Sequence, residues 1–122
     1  MGERIRSEVM DGRWLKTNDK PQWIESLEIE TVGGETFVHV RGSSSPSPED
    51  WGRQRCQFVF AGAPDTADAR AGGLIAHYDF EPMHVELQAN YNLGLLVVAT
   101  FVNFRQPGPL SDRFTREFFY RS

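Results

Sequence analysis

The chain has 122 residues, 39% of them apolar and 25% charged, and a formal net charge of −4. A chain of this length builds one hydrophobic core, so we expect a single domain over 1–122, in which 1–11 is a flexible or packing segment. The negative charge disfavours nucleic acid and anionic membrane surfaces as partners, because both select clustered Lys and Arg.

Cysteine content and hydropathy indicate the compartment. Cys56 is the single cysteine in the sequence, which excludes an internal disulfide and fits a reducing environment. Residues 1–11 are charged throughout, unlike a signal peptide. The longest apolar run, 93–102, is about half as long as a membrane-spanning helix and is typical of a strand buried on both faces. We therefore expect a cytoplasmic protein.

Apolar and polar residues alternate in segments along the whole chain, and β-branched and aromatic residues are concentrated in these segments. A period of two is typical of strands, and no segment shows helical spacing of apolar residues over three turns. In the second segment Leu27 and Ile29 are expected to face inward, and Glu28 and Glu30 to face water. The predicted strands are, in chain order, one from Gly12, then 23–31, 36–41, 53–60, 74–80, 84–91, 95–104 and 113–121.

Turn chemistry separates these strands. Gly33-Gly34 is a hairpin turn that tolerates positive φ at both central residues. The Ser- and Pro-rich segment 42–52 predicts a surface loop, and 61–73 is long for a hairpin and is predicted to be either mobile or a short helix. The remaining predicted turns are 17–21, 92–94 and 106–109.

Eight evenly spaced strands in meander order predict an all-β, eight-stranded antiparallel up-and-down β-barrel. Closing the sheet on itself hides the strand edges that a short chain cannot otherwise cover. A Greek-key sandwich is the alternative fold.

Two groups of residues carry a resemblance to known barrels. Gly12-x-Trp14 on the first strand, with Arg121 at the end of the last, resembles the calycin pattern of lipocalins and avidin-like barrels, where the Trp closes the barrel floor and the Arg packs over it. The rest of the chain resembles a family of small, mostly uncharacterised bacterial β-barrels with a His on the third strand and an Asp-Trp-Gly loop. The residues that carry this second resemblance are Leu27-Glu28-Ile29, Val38-His39-Val40, Gly42, Pro48, Asp50-Trp51-Gly52, Ala76-x-Tyr78, Phe101-x-Asn103-Phe104 and Glu117-Phe118-Phe119-x-Arg121.

The resemblance implies a calycin-like barrel and no particular activity. It covers about nine tenths of the chain and departs from the family at 43–47, where such proteins tend to carry a Cys pair and this chain has four serines and one proline. A thiol or metal role of that loop is therefore not expected here.

The candidate site residues are aromatic or imidazole side chains expected to line the lumen. His39 could act as a general base or as a hydrogen-bond anchor, or it could be a core or rim residue satisfied by a neighbouring carbonyl. Tyr78 could polarise a carbonyl. The hydroxyls of Tyr78 and Tyr91 are expected to point into the lumen, although either could instead support a neighbouring strand through a backbone carbonyl. Trp51 is either a lid or a plug, and Phe101 completes the predicted ligand-binding set.

Other reactive residues carry weaker signals. His77 and His84, with Asp79 and Glu81 between them, have no recognised metal-ligand spacing, so we expect no metal and no cofactor. Cys56 alternates with aromatic residues on a buried face and has no basic neighbour there to ionise it. The sequence contains no nucleophile elbow, phosphate loop or dinucleotide fingerprint.

The strand 95–104 is apolar on both faces, whereas a monomeric barrel needs only one apolar face per strand. Packing against a second subunit is the simplest cover, so we expect a homodimer or a higher homo-oligomer. The alternative is that the N-terminal segment or the connection 61–73 covers that face.

Three functions remain compatible with the sequence. The first is a barrel that binds a small apolar or aromatic molecule in its lumen. The second uses the same pocket as a cofactor-free cyclase or isomerase that holds its substrate in a reactive conformation. The third is a structural or protein-interaction barrel whose lumen is filled by side chains.

Overall fold

The computed structural model describes residues 7–20, 22–43, 48–60, 71–106 and 112–122 and has an all-β, nearly closed antiparallel barrel. Parts of four predicted connections, in the segments 17–21, 42–52, 61–73 and 106–109, lie outside the described residues, as does most of 1–11. Within the described residues, no helix is both long enough and apolar enough to cross a membrane. The elements are a 3-10 helix Ser7–Met10, β1 Gly12–Lys16, β2 Ile24–Val32, β3 Glu35–Gly42, β4 Asp50–Arg55, β5 Gln57–Phe60, β6 Ala71–Asp79, β7 Met83–Asn92, β8 Leu95–Phe104 and β9 Arg113–Arg121.

The strands form one sheet in the order β4-β3-β2-β1-β9-β8-β7-β6-β5. Its two edge strands, β4 and β5, are separated by one residue, Cys56, whose N–H donates to the carbonyl of Thr36 at 2.8 Å. The chain therefore passes from one edge of the sheet to the other within a single residue, which nearly closes the barrel.

The strand count corrects the prediction of eight strands, since the described residues form nine. The predicted strand 53–60 is split at Cys56: Arg55 is still paired with Phe37 on β3, whereas Gln57 is paired with Ile75 on β6. Closing the barrel requires the chain to exchange one neighbour for the other at this point. Alternation of side chains continues through such an exchange, so the sequence pattern does not reveal it.

Two hairpin turns have left-handed backbone at both central residues, which glycine accepts readily and Leu93 adopts as an exception. Gly33 and Gly34 have φ of +60° and +84°, and Leu93 and Gly94 have φ of +52° and +88°. Positive φ at both central residues matches the twist of the flanking strands, which is the conformation predicted for Gly33-Gly34.

The inward faces of the strands form a single core. Leu27 and Ile29 are buried and Glu28 and Glu30 are exposed, so the predicted orientation of β2 is confirmed. The buried apolar side chains are Met10, Trp14, Ile24, Leu27, Ile29, Val38, Val40, Trp51, Leu74, Ala76, Tyr78, Met83, Val85, Leu87, Leu96, Val98, Val102 and Phe119.

The barrel has two distinct ends. At the helix end, which carries the 3-10 helix and the two hairpin turns, the indole N–H of Trp14 donates to the carbonyl of Met10 at 3.0 Å. The guanidinium of Arg121 lies 4.4 Å from the Trp14 ring and donates to the carbonyls of Val9 and Asp11. This arrangement is compatible with a calycin-like fold. The opposite end, here called the loop end, carries the described residues 17–20, 22–23, 43, 48–49, 80–82, 105–106 and 112.

Candidate functional site

His39 lies on the outside of the barrel rather than in the lumen. Its neighbours Val38 and Val40 are buried, so alternation turns the imidazole outward. Nε2 of His39 lies 2.6 Å from Oδ1 of Asp50, and this hydrogen bond, together with one from the N–H of Gly52, lowers the pKa of the Asp50 carboxyl. The predicted lumenal role of His39 is therefore not compatible with its orientation.

Tyr78 faces inward and is buried, and its hydroxyl already has protein partners. It contacts the carbonyl oxygens of Gly52 on β4 at 2.9 Å and Val38 on β3 at 3.3 Å. Burial raises the pKa of the phenol. In this geometry the hydroxyl links β6 to β3 and β4 across the seam of the barrel, the place near Cys56 where the two edges of the sheet meet. This is the supporting role named as the alternative for this tyrosine.

Tyr91 lies at the helix end, far from Tyr78. Its ring is 39% exposed and lies edge-on to Trp14, with ring centroids 6.1 Å apart. Tyr78 is paired with Val85, and Tyr91 lies six residues further along β7, a separation of about 20 Å at the usual strand rise. The two hydroxyls do not share a pocket.

The other two predicted ligand contacts also separate. Trp51 is buried at the loop end, where its ring packs edge-on against Tyr78 and Phe80 with centroids 5.4 Å away in each case, so it is placed as a plug rather than as a lid. Phe101 lies on the outer face of β8, where its ring centroid is 4.9 Å from that of Phe114. The five predicted residues therefore do not converge on one site.

A different set of residues does converge inside the barrel, on two neighbouring strands. Thr100 on β8 is paired with Thr115 on β9, and Glu117 lies two residues further along β9 on the same face. Thr100 is 0% exposed and Glu117 is 6% exposed. Within the described residues, the Oγ1 atoms of both threonines and Oε1 of Glu117 are buried without a hydrogen-bond partner. We call these three side chains the polar triad.

Glu117 on β9 lies beside the point where β1 ends and the connection from β1 to β2 begins. The ladder between β1 and β9 ends at Lys16, opposite Phe119, and the N–H of Trp23 donates to Oε2 of Glu117 at 2.9 Å. Lys16 lies at the rim, where its ammonium is 3.1 Å from a carboxylate oxygen of Glu25. The triad thus lies in the half of the barrel nearer the loop end.

Burial dominates the electrostatics of Glu117 and raises its pKa to about 6 from 4.5. The backbone N–H groups of Trp23 and Ile24 and the charge of Lys16 act in the opposite direction and are outweighed. A carboxyl group with this pKa exists in both protonation states near neutral pH. It can accept a hydrogen bond from a ligand, donate one, or transfer a proton.

Sequence reasoning missed the triad because β9 presents polar and apolar residues on the unexpected faces. Its aromatic residues Phe114, Phe118 and Tyr120 point outward, whereas Thr115 and Glu117 point inward. A signal was nevertheless available: placing Arg121 over Trp14 fixes the orientation of the strand, and a period of two then turns 115, 117 and 119 inward.

Two recesses are lined by described residues, and each has a volume of about 410 Å³. The first lies on the outer wall beside His39, where the guanidinium of Arg53 stacks 4.1 Å from the centre of the Phe37 ring. The second lies at the seam beside Cys56, whose pKa is raised by burial, so that the thiol has no tendency to ionise.

The two remaining histidines form an outward-facing chain of contacts. Nδ1 of His77 lies 3.3 Å from Nε2 of His84, whose Nδ1 lies 2.9 Å from Oδ1 of Asp79. The same carboxylate oxygen accepts a hydrogen bond from Arg105 at 2.6 Å, and both contacts lower the pKa of Asp79. In the described part of the chain, no group of three or more His, Cys, Asp or Glu side chains is arranged to hold a metal ion.

Comparisons of the chain with protein-family models, with curated proteins and with solved structures found no match. The class of protein is therefore defined by the fold alone, as an all-β, nearly closed antiparallel barrel.

Proposed function

We propose that this protein is a calycin-like barrel that binds a small, largely apolar molecule in the half of the lumen nearer the loop end. The polar triad is the observation that carries the proposal. Leaving a buried polar atom without a partner costs about 1–3 kcal/mol, and three such atoms lie on adjacent strands here, one of them Oε1 of the otherwise hydrogen-bonded Glu117. The triad atoms have almost no accessible surface, so a molecule must displace the side chains packed around them in order to bind. A molecule that does so and supplies their partners would recover much of that cost.

The chemistry of the triad indicates what the molecule offers. An ionised Glu117 accepts hydrogen bonds only, so it selects a ligand with a hydroxyl, amide or amine hydrogen. The two threonine hydroxyls can each donate and accept. The inward neighbours along β8 are Val98 and Val102, which favour an apolar body. The proposed ligand therefore combines an apolar body with one hydrogen-bond donor.

A cofactor-free cyclase or isomerase is the second candidate function, and the raised pKa of Glu117 favours it. General acid–base catalysis is most effective when the pKa of the group lies near the working pH. In this version Glu117, rather than His39, transfers the proton, and a threonine hydroxyl positions the reacting oxygen. A cytoplasmic location, favoured by the single cysteine, accompanies both proposals.

Binding can be tested with N-phenyl-1-naphthylamine, an apolar fluorophore with one N–H donor. We expect saturable binding with enhanced emission. Replacing the acceptor in Glu117→Met should weaken this binding about tenfold, and the isosteric Thr100→Val about fivefold, as expected for one lost hydrogen bond each. Glu86→Met, on the outer face of β7, is the matched control and should leave the affinity unchanged.

Native mass spectrometry of the protein as purified gives a second, independent readout. A retained small molecule that is lost in Glu117→Met would support the proposal and identify the chemistry to assay for turnover. The proposal fails if the fluorophore does not bind saturably and no molecule is retained. It also fails if binding responds to Phe118→Arg on the outer surface and not to Glu117→Met.

A further inference from the structure

The outer surface of β8 and β9 carries a continuous apolar strip. Phe118 is 41% exposed, and the aromatic rings on either side of it along β9 are exposed to a similar degree. Contiguous exposed apolar surface of this extent on a barrel wall is typical of an interaction site. The residues of the strip, which we call the outer strip, are Leu15, Leu95, Val97, Ala99, Phe101, Phe114, Phe118 and Tyr120.

Side-chain sizes across the strip are complementary to those of a second copy. In register, Val97 is opposite Phe118 and Ala99 is opposite Arg116, so the smaller residues of β8 stand beside the larger ones of β9. Consider a second copy packed face to face on this strip and related to the first by a twofold axis. The axis is parallel to the strands and lies between the two sheets, above the line that separates β8 from β9. It places β8 of one copy over β9 of the other. Val97 and Ala99 then face the larger Phe118 and Arg116 at the same level, while Phe101 faces Phe114 in an aromatic pair.

Charge is complementary under the same axis. Arg116 is exposed within the strip and lies directly opposite Ala99, the smallest residue of β8. Beside Ala99 on the other side is Gln88, which donates a hydrogen bond to the carboxylate of Glu86 at 2.7 Å. The twofold axis lays the aliphatic stem of each Arg116 across the partner's Ala99, so that its guanidinium reaches the partner's Glu86.

We propose that the outer strip is the interface of an isologous homodimer, in which β8 of one copy packs on β9 of the other and Arg116 pairs with Glu86 across the interface. Sheets that pack face to face in this way lie about 10 Å apart with strands about 30° from parallel. The Arg116 side chain is long enough to reach from β9 of one copy to Glu86 on β7 of the other. The self-complementary register is what selects a second copy of this chain over an unrelated protein.

The test is sedimentation velocity between 10 and 100 µM, which distinguishes one 13.9 kDa chain from two. We expect the unmodified chain to sediment as a dimer and Phe118→Arg to sediment as a monomer. Val32→Arg is the matched control, because Val32 is also an exposed apolar residue, at 50%, but lies outside the strip. Circular dichroism checks that each variant is folded.

A charge exchange tests the specific geometry. Arg116→Glu should weaken dimerisation at least tenfold, since it places two carboxylates together, and the double variant Arg116→Glu with Glu86→Arg should restore it. A monomeric unmodified chain, a dimer insensitive to Phe118→Arg, or an absence of rescue by the charge exchange would each overturn the proposal. Ligand binding in the lumen is measured separately, so the two proposals can fail independently.

Discussion

Replacing the buried carboxyl group in Glu117→Gln removes a proton-binding site and leaves the shape of the side chain almost unchanged. Burial raises the pKa of this group to about 6 in the folded barrel from 4.5. A group with a raised folded-state pKa binds more protons in the folded than in the unfolded chain between these two values. The barrel should therefore lose stability as the pH rises from 4.5 to 6, and keep that loss at higher pH.

The expected magnitude follows from the difference between the two pKa values. It corresponds to about 2 kcal/mol. We reduce this to about 1–2 kcal/mol because solvent near the end of the barrel partly screens the Glu117 charge. At pH 8 the glutamine variant should be more stable by this amount. At pH 4.5 most of the difference should disappear, because the glutamic acid is then mainly protonated. Asp50 and Asp79 have lowered pKa values, so their contribution to stability is lost only below this window.

Urea denaturation followed by tryptophan fluorescence between pH 4.5 and 8 measures this difference. Glu28→Gln, on the exposed face of β2, is the matched control and should show no such slope. A difference between Glu117→Gln and the unmodified chain that stays constant across the pH range would refute the reasoning.

Three further substitutions test contacts elsewhere in the barrel. Tyr78→Phe leaves two seam carbonyls without their hydroxyl donor and should cost about 1–3 kcal/mol of unfolding free energy in urea, whereas Tyr120→Phe on the exposed surface should cost almost nothing. Arg121→Ala removes the cation that stacks on the β1 indole and should cost about 1–2 kcal/mol while altering the tryptophan emission spectrum. Gly42→Ala brings a Cβ within 2.9 Å of the carbonyl of Pro48 and against a buried indole, so its melting temperature should fall by several degrees; an unchanged value would show that the β3–β4 connection can move aside.

Alternation predicted the strands well because a barrel buries one face of each strand and exposes the other. That rule placed Leu27 and Ile29 correctly, and turn residues located both glycine-containing hairpin turns. It could not place His39, since both faces of β3 mix polar and apolar residues. The orientation of that strand is set by its pairing with β2 and β4, which is long-range information.

The candidate site was harder to predict than the fold for a related reason. The triad can be predicted only if the inward face of β9 is known. The hydrophobic pattern of β9 indicates the opposite face, because its more aromatic face lies outside the barrel. Only the position of Arg121 over Trp14 corrects the orientation. The split at Cys56 was likewise invisible, since a strand that changes partners keeps its alternation.

The pairing of β1 with β9 joins strands that are far apart in the sequence, with Trp14 opposite Arg121. During synthesis β1 can pair with β2 early, yet its second neighbour, β9, is made after all the other strands of the sheet. Contacts this far apart in sequence slow folding, because the chain loses the entropy of closing a long loop before it gains the contact. We therefore expect β1 to keep one unpaired edge, open to wrong partners, in the nascent chain until β9 has been made.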